Sequence, residues 1–177
     1  MAGLKELRTR IETIKSTEKI TSAMKMVAAA RLRRSQGLIE KCRFYNNNIL
    51  ASANRVLFEL RQEEQKKNVR FVYPELMRGS GKAENYLLLV FTSDRGLCGS
   101  YNSNVAREAS KRIEELLGGG KNVKILCIGK KGRDILKRKY AGMIVDTIEG
   151  IARKGAKYYE AVDLGQWVLD MYAKGEF

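Results

Sequence analysis

No proline interrupts the first sixty positions, and Leu4, Leu7, Ile11 and Ile14 step by three and four between charged neighbours. That spacing places one apolar seam along one face of a helix and is the pattern of coiled-coil packing. A helix from about Gly3 to Leu60 would be roughly 85 Å long, whereas the residues behind it, folded as one domain, have a radius of gyration of about 13 Å. Most of such a rod must stand in water unless other protein surrounds it. The rod therefore predicts a partner before any motif is read.

The seam changes phase along the rod. It resumes one residue early at Ile20, Met24 and Val27, and a third stretch follows at Leu38, Cys42, Tyr45, Ile49, Val56 and Leu60. A phase change of this kind alters supercoiling locally without ending the helix. Between Ala23 and Ala30 the chain reads AMKMVAAA and is apolar nearly all round. Alanine and methionine are good helix formers that fill core gaps, so ordinary packing is one reading of this stretch. The other is a shaft inside a sleeve, because helices apolar on every side are normally buried. Gly37 weakens the helix by about 1 kcal/mol relative to alanine and is a candidate bend.

Charge narrows the class of partner. The 177 residues carry 34 Lys and Arg against 20 Asp and Glu, a net charge of +14, which fits an acidic protein, nucleic acid or an anionic surface. Twelve of those cations and only five acids lie in the first sixty residues. Glu6 and Arg10 have the spacing of a helical ion pair, and the remaining surplus suits an acidic collar. Cys42, Cys98 and Cys127 are too few and too scattered for a disulfide framework. Histidine is absent, which removes the usual proton shuttle at neutral pH. No apolar run is long enough for a membrane span.

Past the rod, Arg61 to Asn68 is polar, Pro74 is the only proline, and Gly79, Ser80, Gly81 and Lys82 follow. This reads as a connector over 61–84, between a shaft helix over 1–60 and a partial globular domain over 85–177. Tyr86 to Phe91 (YLLLVF) has the continuous apolar character of a strand buried on both faces. A helix over about 104–117 ends at three glycines, Gly118, Gly119 and Gly120. Val123 to Ile128 is a second strand, Lys130 to Tyr140 a basic helix, Met143 to Ile148 a third strand and Tyr158 to Tyr172 a last helix. Such alternation predicts an α/β class: a small Rossmann-like parallel sheet with helices on both faces, behind the long coiled-coil helix.

The loop Ser93-Asp94-Arg95-Gly96-Leu97-Cys98-Gly99-Ser100 lies between a strand and a helix, where phosphate-binding loops are found. Gly96 and Gly99 supply only a GxxG pair, which matches neither GxGxxG nor the P-loop pattern. The loop reads as a tight turn in which the glycines supply unusual backbone angles and Asp94 caps neighbouring amides. Asp94 as half of a carboxylate pair and Cys98 as a reactive thiol are the chemical alternatives.

Two stretches carry a specific resemblance. Leu4 to Gln36, LKELRTRIETIKSTEKITSAMKMVAAARLRRSQ, resembles the opening helix of the gamma subunits of F-type ATP synthases, and Phe91 to Arg107, FTSDRGLCGSYNSNVAR, is similar to their strand-loop-helix signature. The resemblance implies a non-catalytic rotor. In that family the subunit is a central shaft inside a ring of alpha and beta subunits, and its globular part rests on the c-ring beside epsilon. Carried over by position, it implies ring contacts at Arg8, Lys19, Ile20, Thr21, Met24, Lys25 and Val27, and a coiled-coil seam at Leu4, Leu7, Ile11, Ile14, Ile49 and Val56. Asp94, Arg95, Gly96, Cys98 and Gly99 are the signature loop.

The resemblance implies no cofactor and no nucleic acid. It implies a peripheral membrane protein that meets the membrane only through the c-ring. The expected place is the cytoplasmic face of a bacterial inner membrane, or the matrix side of a mitochondrion. Met1 without a transit-like extension favours the bacterial setting. The family pattern continues with further strands and a long antiparallel helix, so a chain stopping at Phe177 reads as part of a larger subunit. A basic coiled-coil module binding nucleic acid is the competing function, and a small phosphate-handling enzyme the third. Sparse aromatics among the basic residues weigh against nucleic acid.

Overall fold

The computed structural model describes residues 3–79, 81–151 and 157–177. Met1 of the expected start and Ser80 of the expected connector lie outside the described residues. The chain separates into two compact units, Met1–Val72 and Tyr73–Phe177.

The first unit is essentially one helix, α1 (Leu4–Lys67), 64 residues in a single run and hence about 96 Å long. It passes through Gly37 unbroken. It also runs seven residues beyond the expected end at Leu60, so the polar run Arg61 to Lys67, assigned above to a connector, is helical. Gln, Glu, Lys and Arg are strong helix formers, and polarity by itself does not end a helix. Glu59 and Glu63 take Arg55 and Lys67 as i,i+4 partners, while Lys66 and Lys67 face the negative end of the helix dipole. Termination comes at Asn68, which adopts the left-handed conformation (φ 50°, ψ 39°) that asparagine tolerates better than most residues. Phe71 then donates its amide to Glu64 at 2.7 Å. The expected Glu6–Arg10 pair is absent from the ion pairs among the described residues. An exposed pair of that type contributes only about 0.3–0.5 kcal/mol, too little to hold two long side chains in place.

The second unit opens with a single helical turn, α2 (Glu75–Arg78). Then β1 (Asn85–Phe91), α3 (Tyr101–Gly118), β2 (Asn122–Ile128), α4 (Lys130–Tyr140), a short 3-10 turn, β3 (Ile144–Ile148) and α5 (Tyr158–Ala173) alternate as expected. The strands form a parallel sheet in the order β1-β2-β3. Asn85 pairs with Asn122 and Phe91 with Ile128, while a bulge between Ile125 and Leu126 shifts the register onto β3. A glycine-based cap ends α3, with the Lys121 amide donating back to the Leu116 carbonyl at 3.0 Å.

Both crossover helices cover one face. Ala106, Ala109, Ile113 and Leu116 of α3 recur by three and four, and with Leu136 and Tyr140 of α4 they bury Val123, Ile125 and Cys127 of β2 and Val90 of β1. Lys124, Leu126 and Ile128 alternate onto the other face. There Leu126 is fully buried, and Lys124 reaches Glu176, just past α5, at 2.8 Å. The segment just past α5 therefore reaches the face opposite α3 and α4. Among the described strands β1 pairs with β2, and its residues are mostly half-buried, with only Val90 in the core.

Candidate functional site

The residues expected to meet partners all lie on α1. Arg8, Lys19, Ile20, Thr21, Met24, Lys25 and Val27 are all exposed, Met24 at 49% of its surface. Arg8, Lys19 and Lys25 belong to no ion pair among the described residues. The seam residues Leu4, Leu7, Ile11, Ile14, Ile49 and Val56 are equally exposed, and no residue of α1 is buried. Helices in proteins owe most of their stability to packing of the apolar face, so α1 presents a surface suited to being covered. Thr21 differs from its neighbours, since its hydroxyl is bonded to the Thr17 carbonyl at 2.9 Å within the helix.

In the second unit the signature loop is built around two polar knots. The first is closed by Asn102 in the first turn of α3, only 8% exposed. Its Oδ1 accepts from the Ser93 amide at 3.0 Å, and its Nδ2 donates to Ser93 Oγ at 2.8 Å and Cys98 Sγ at 3.0 Å. Ser93 Oγ donates in turn to the Arg95 carbonyl. The Cys98 thiol is therefore an acceptor inside a structural turn. Between the glycines, Leu97 adopts a left-handed conformation (φ 63°) while 94% exposed, and Gly99 follows at φ 59°. Only Gly99 takes that conformation without a steric penalty.

The second knot caps α4. A helix begins with amides that have no partner inside it, and Thr92, Ser93 and Asp94 accept from the first three. Lys130 donates to Asp94 Oδ1 at 3.1 Å, Lys131 to the Ser93 carbonyl at 3.0 Å and Gly132 to Thr92 Oγ1 at 2.8 Å. The other oxygen of Asp94 accepts from the Gly150 amide at 2.9 Å, beyond β3. A single tripeptide thus ties together the chain beyond all three strands. With both oxygens engaged by amides, Asp94 acts as the expected cap, not as half of a carboxylate pair. An anion at the start of α4 would have to displace this carboxylate, so the knot leaves no seat there for phosphate.

Sequence reasoning missed Thr92, Asn102, Gly129 and Gly132. A Cβ on Gly129 (φ 106°) would lie 2.2 Å from the Thr92 carbonyl oxygen, and one on Gly132 2.7 Å from the Thr92 side chain. The signal was present: a glycine inside a helix is costly and marks close approach of another segment. Ion pairs brace the frame around the knot. Arg133 joins Asp134 to Glu149, and its hydrogen bond holds the Asp134 carboxyl below the usual range. Lys139 and Tyr140 both donate to Glu114, linking α4 to α3 and lowering the Glu114 pKa, Lys139 first. Burial pushes the Cys127 thiol up.

Comparison with known proteins bears on the whole chain. The family model described as ATP synthase matches residues 3–177. The ATP synthase gamma chain of Sinorhizobium medicae is 41% identical over all 177 residues, and that of Parvibaculum lavamentivorans 44%. In each case the match covers 58% of the relative, so the chain spans under two thirds of their length. Among solved structures, a chain of the Tetrahymena thermophila mitochondrial ATP synthase central stalk and c-ring assembly aligns at a TM-score of 0.54 and 30% identity. That alignment covers 84% of this chain and 58% of the other.

Proposed function

The chain belongs to the ATP synthase gamma-chain family, and from that premise we propose that it is the central-stalk rotor segment of an F-type ATP synthase. Its long helix turns inside the alpha and beta ring and carries torque between that ring and a proton-driven c-ring, with epsilon alongside. One observation supports this reading above others: a 64-residue helix with an apolar seam, a cationic surplus and no buried residue. Such a surface has its apolar area still to bury and its charge still to be matched by an acidic collar.

The contact set in this reading is Arg8, Lys19, Ile20, Thr21, Met24, Lys25 and Val27. In this reading the chemistry of ATP belongs to the ring, and this chain carries torque without being catalytic itself. No helix among the described residues is long and apolar enough to cross a membrane. In this reading the chain meets the membrane only through the c-ring, on the cytoplasmic side in a bacterium or the matrix side in a mitochondrion. Binding of nucleic acid rests on net charge alone and has no support from the relatives.

Co-purification tests the proposal. A tagged chain expressed with alpha and beta subunits is expected to be retained by the assembled ring at moderate ionic strength. If the ring assembles and never retains the chain, even at low salt, the proposal fails.

A further inference from the structure

We propose that Thr9, Thr13, Thr17 and Thr21 form a hydroxyl ladder that softens the early part of α1. Each threonine donates Oγ1 to the carbonyl four residues back: Thr9 to Lys5 at 3.1 Å, Thr13 to Thr9 at 2.9 Å, Thr17 to Thr13 at 2.8 Å and Thr21 to Thr17 at 2.9 Å. Thr21 also reaches the Glu18 carbonyl at 3.0 Å.

These are the carbonyls that the main-chain amides of the same threonines use in an α-helix. Each must serve two donors, one holding the helix and one competing with it. Back-bonds of this kind weaken a helix slightly and bend it. A single one has little effect. Four in series, each advanced about 40° around the axis from the last, put the weakened bonds on one flank through several consecutive turns. The ladder ends at Thr21, within the contact set proposed above. Its significance for torque rests on that rotor reading: the shaft yields next to where the ring grips it, so a load bends the helix before it breaks the contact.

The hydroxyl can be removed without changing shape or propensity, because valine is isosteric with threonine and has nearly the same helix propensity. The experiment is amide hydrogen exchange on the full chain. It compares the wild type with a variant carrying Thr9→Val, Thr13→Val, Thr17→Val and Thr21→Val, using Val56–Lys67 of the same helix as internal reference. Amides from Thr9 to Lys25 are expected to exchange about threefold more slowly relative to that reference. The four serine substitutions, which keep the donor, should leave exchange at the wild-type rate or faster. No change relative to the reference, or an equal slowing along the whole helix, overturns the ladder. Exchange is read without any partner, so its failure leaves the rotor reading standing, whereas failure of co-purification removes that reading and leaves the exchange result intact.

Discussion

Gly129→Ala should be among the most damaging single-methyl substitutions in the globular unit. Gly129 stands at the start of α4 with φ 106° and ψ 137°, a region open almost only to glycine, and holding another residue there costs about 1–3 kcal/mol. The added Cβ would also lie 2.2 Å from the Thr92 carbonyl oxygen and 2.6 Å from its carbon. Those are backbone atoms, and Thr92 is fixed by its own amide donating to Ile128 at 2.7 Å. Relief therefore requires a shift of the strand end, at a further cost of about 1–3 kcal/mol. A total near 4 kcal/mol is a large part of the roughly 5–15 kcal/mol that stabilises a typical domain. With each kcal/mol worth about 4–8 °C in a domain of this size, the melting temperature should fall by about 15 °C or more. Trp167, the only tryptophan, lies on α5, so its fluorescence follows this unit and not α1. Gly165→Ala is the control. Its Cβ meets nothing within 4 Å, and alanine inside a helix should stabilise by about 0.5–1 kcal/mol. A Gly129→Ala melt within about 5 °C of wild type, or equal losses from both substitutions, would refute the argument.

Asp94→Asn keeps one acceptor oxygen and replaces the other with a donor, so either the Lys130 or the Gly150 amide loses its partner at a cost of about 1–2 kcal/mol; faster exchange at one of those two amides is the expected reading. The Glu114 carboxyl is lowered from the usual 4.5, mainly by its hydrogen bond to Lys139. Its contribution to stability is therefore complete above the ordinary glutamate range and fades as pH falls through the lowered value. Glu114→Gln should make acid melts less steep below about pH 4.5, and an unchanged slope would assign acid sensitivity elsewhere. Met24→Lys should leave α1 as helical as before, since Met24 is half exposed and the two residues have similar propensity. In an assembled rotary complex it should reduce proton pumping more than ATP hydrolysis, and equal loss of both would count against a gripping contact at Met24.

These effects divide the chain by physical cause. The long helix follows from local properties, because propensity and the three-four step of Leu4, Leu7, Ile11 and Ile14 act over one or two turns and can be read in order. Its end at Asn68 was harder to see, because helix-forming polar residues look like a linker until a left-handed residue stops them. The alternation of strands and helices is legible for the same local reason, and the basic helix expected over Lys130–Tyr140 is α4.

Local pattern determined the shaft, the number of strands, the α/β alternation and the capping role of Asp94, because each depends on periodicity or on a preference carried by the residue itself. Only the tertiary fold decided which amides Asp94 caps and why Gly129 and Gly132 must lack side chains. The Asp94 partners lie 36 and 56 positions away and the Thr92–Gly132 bond spans 40. Such contacts arise from sheet order, and the spacing of residues along the chain does not contain it.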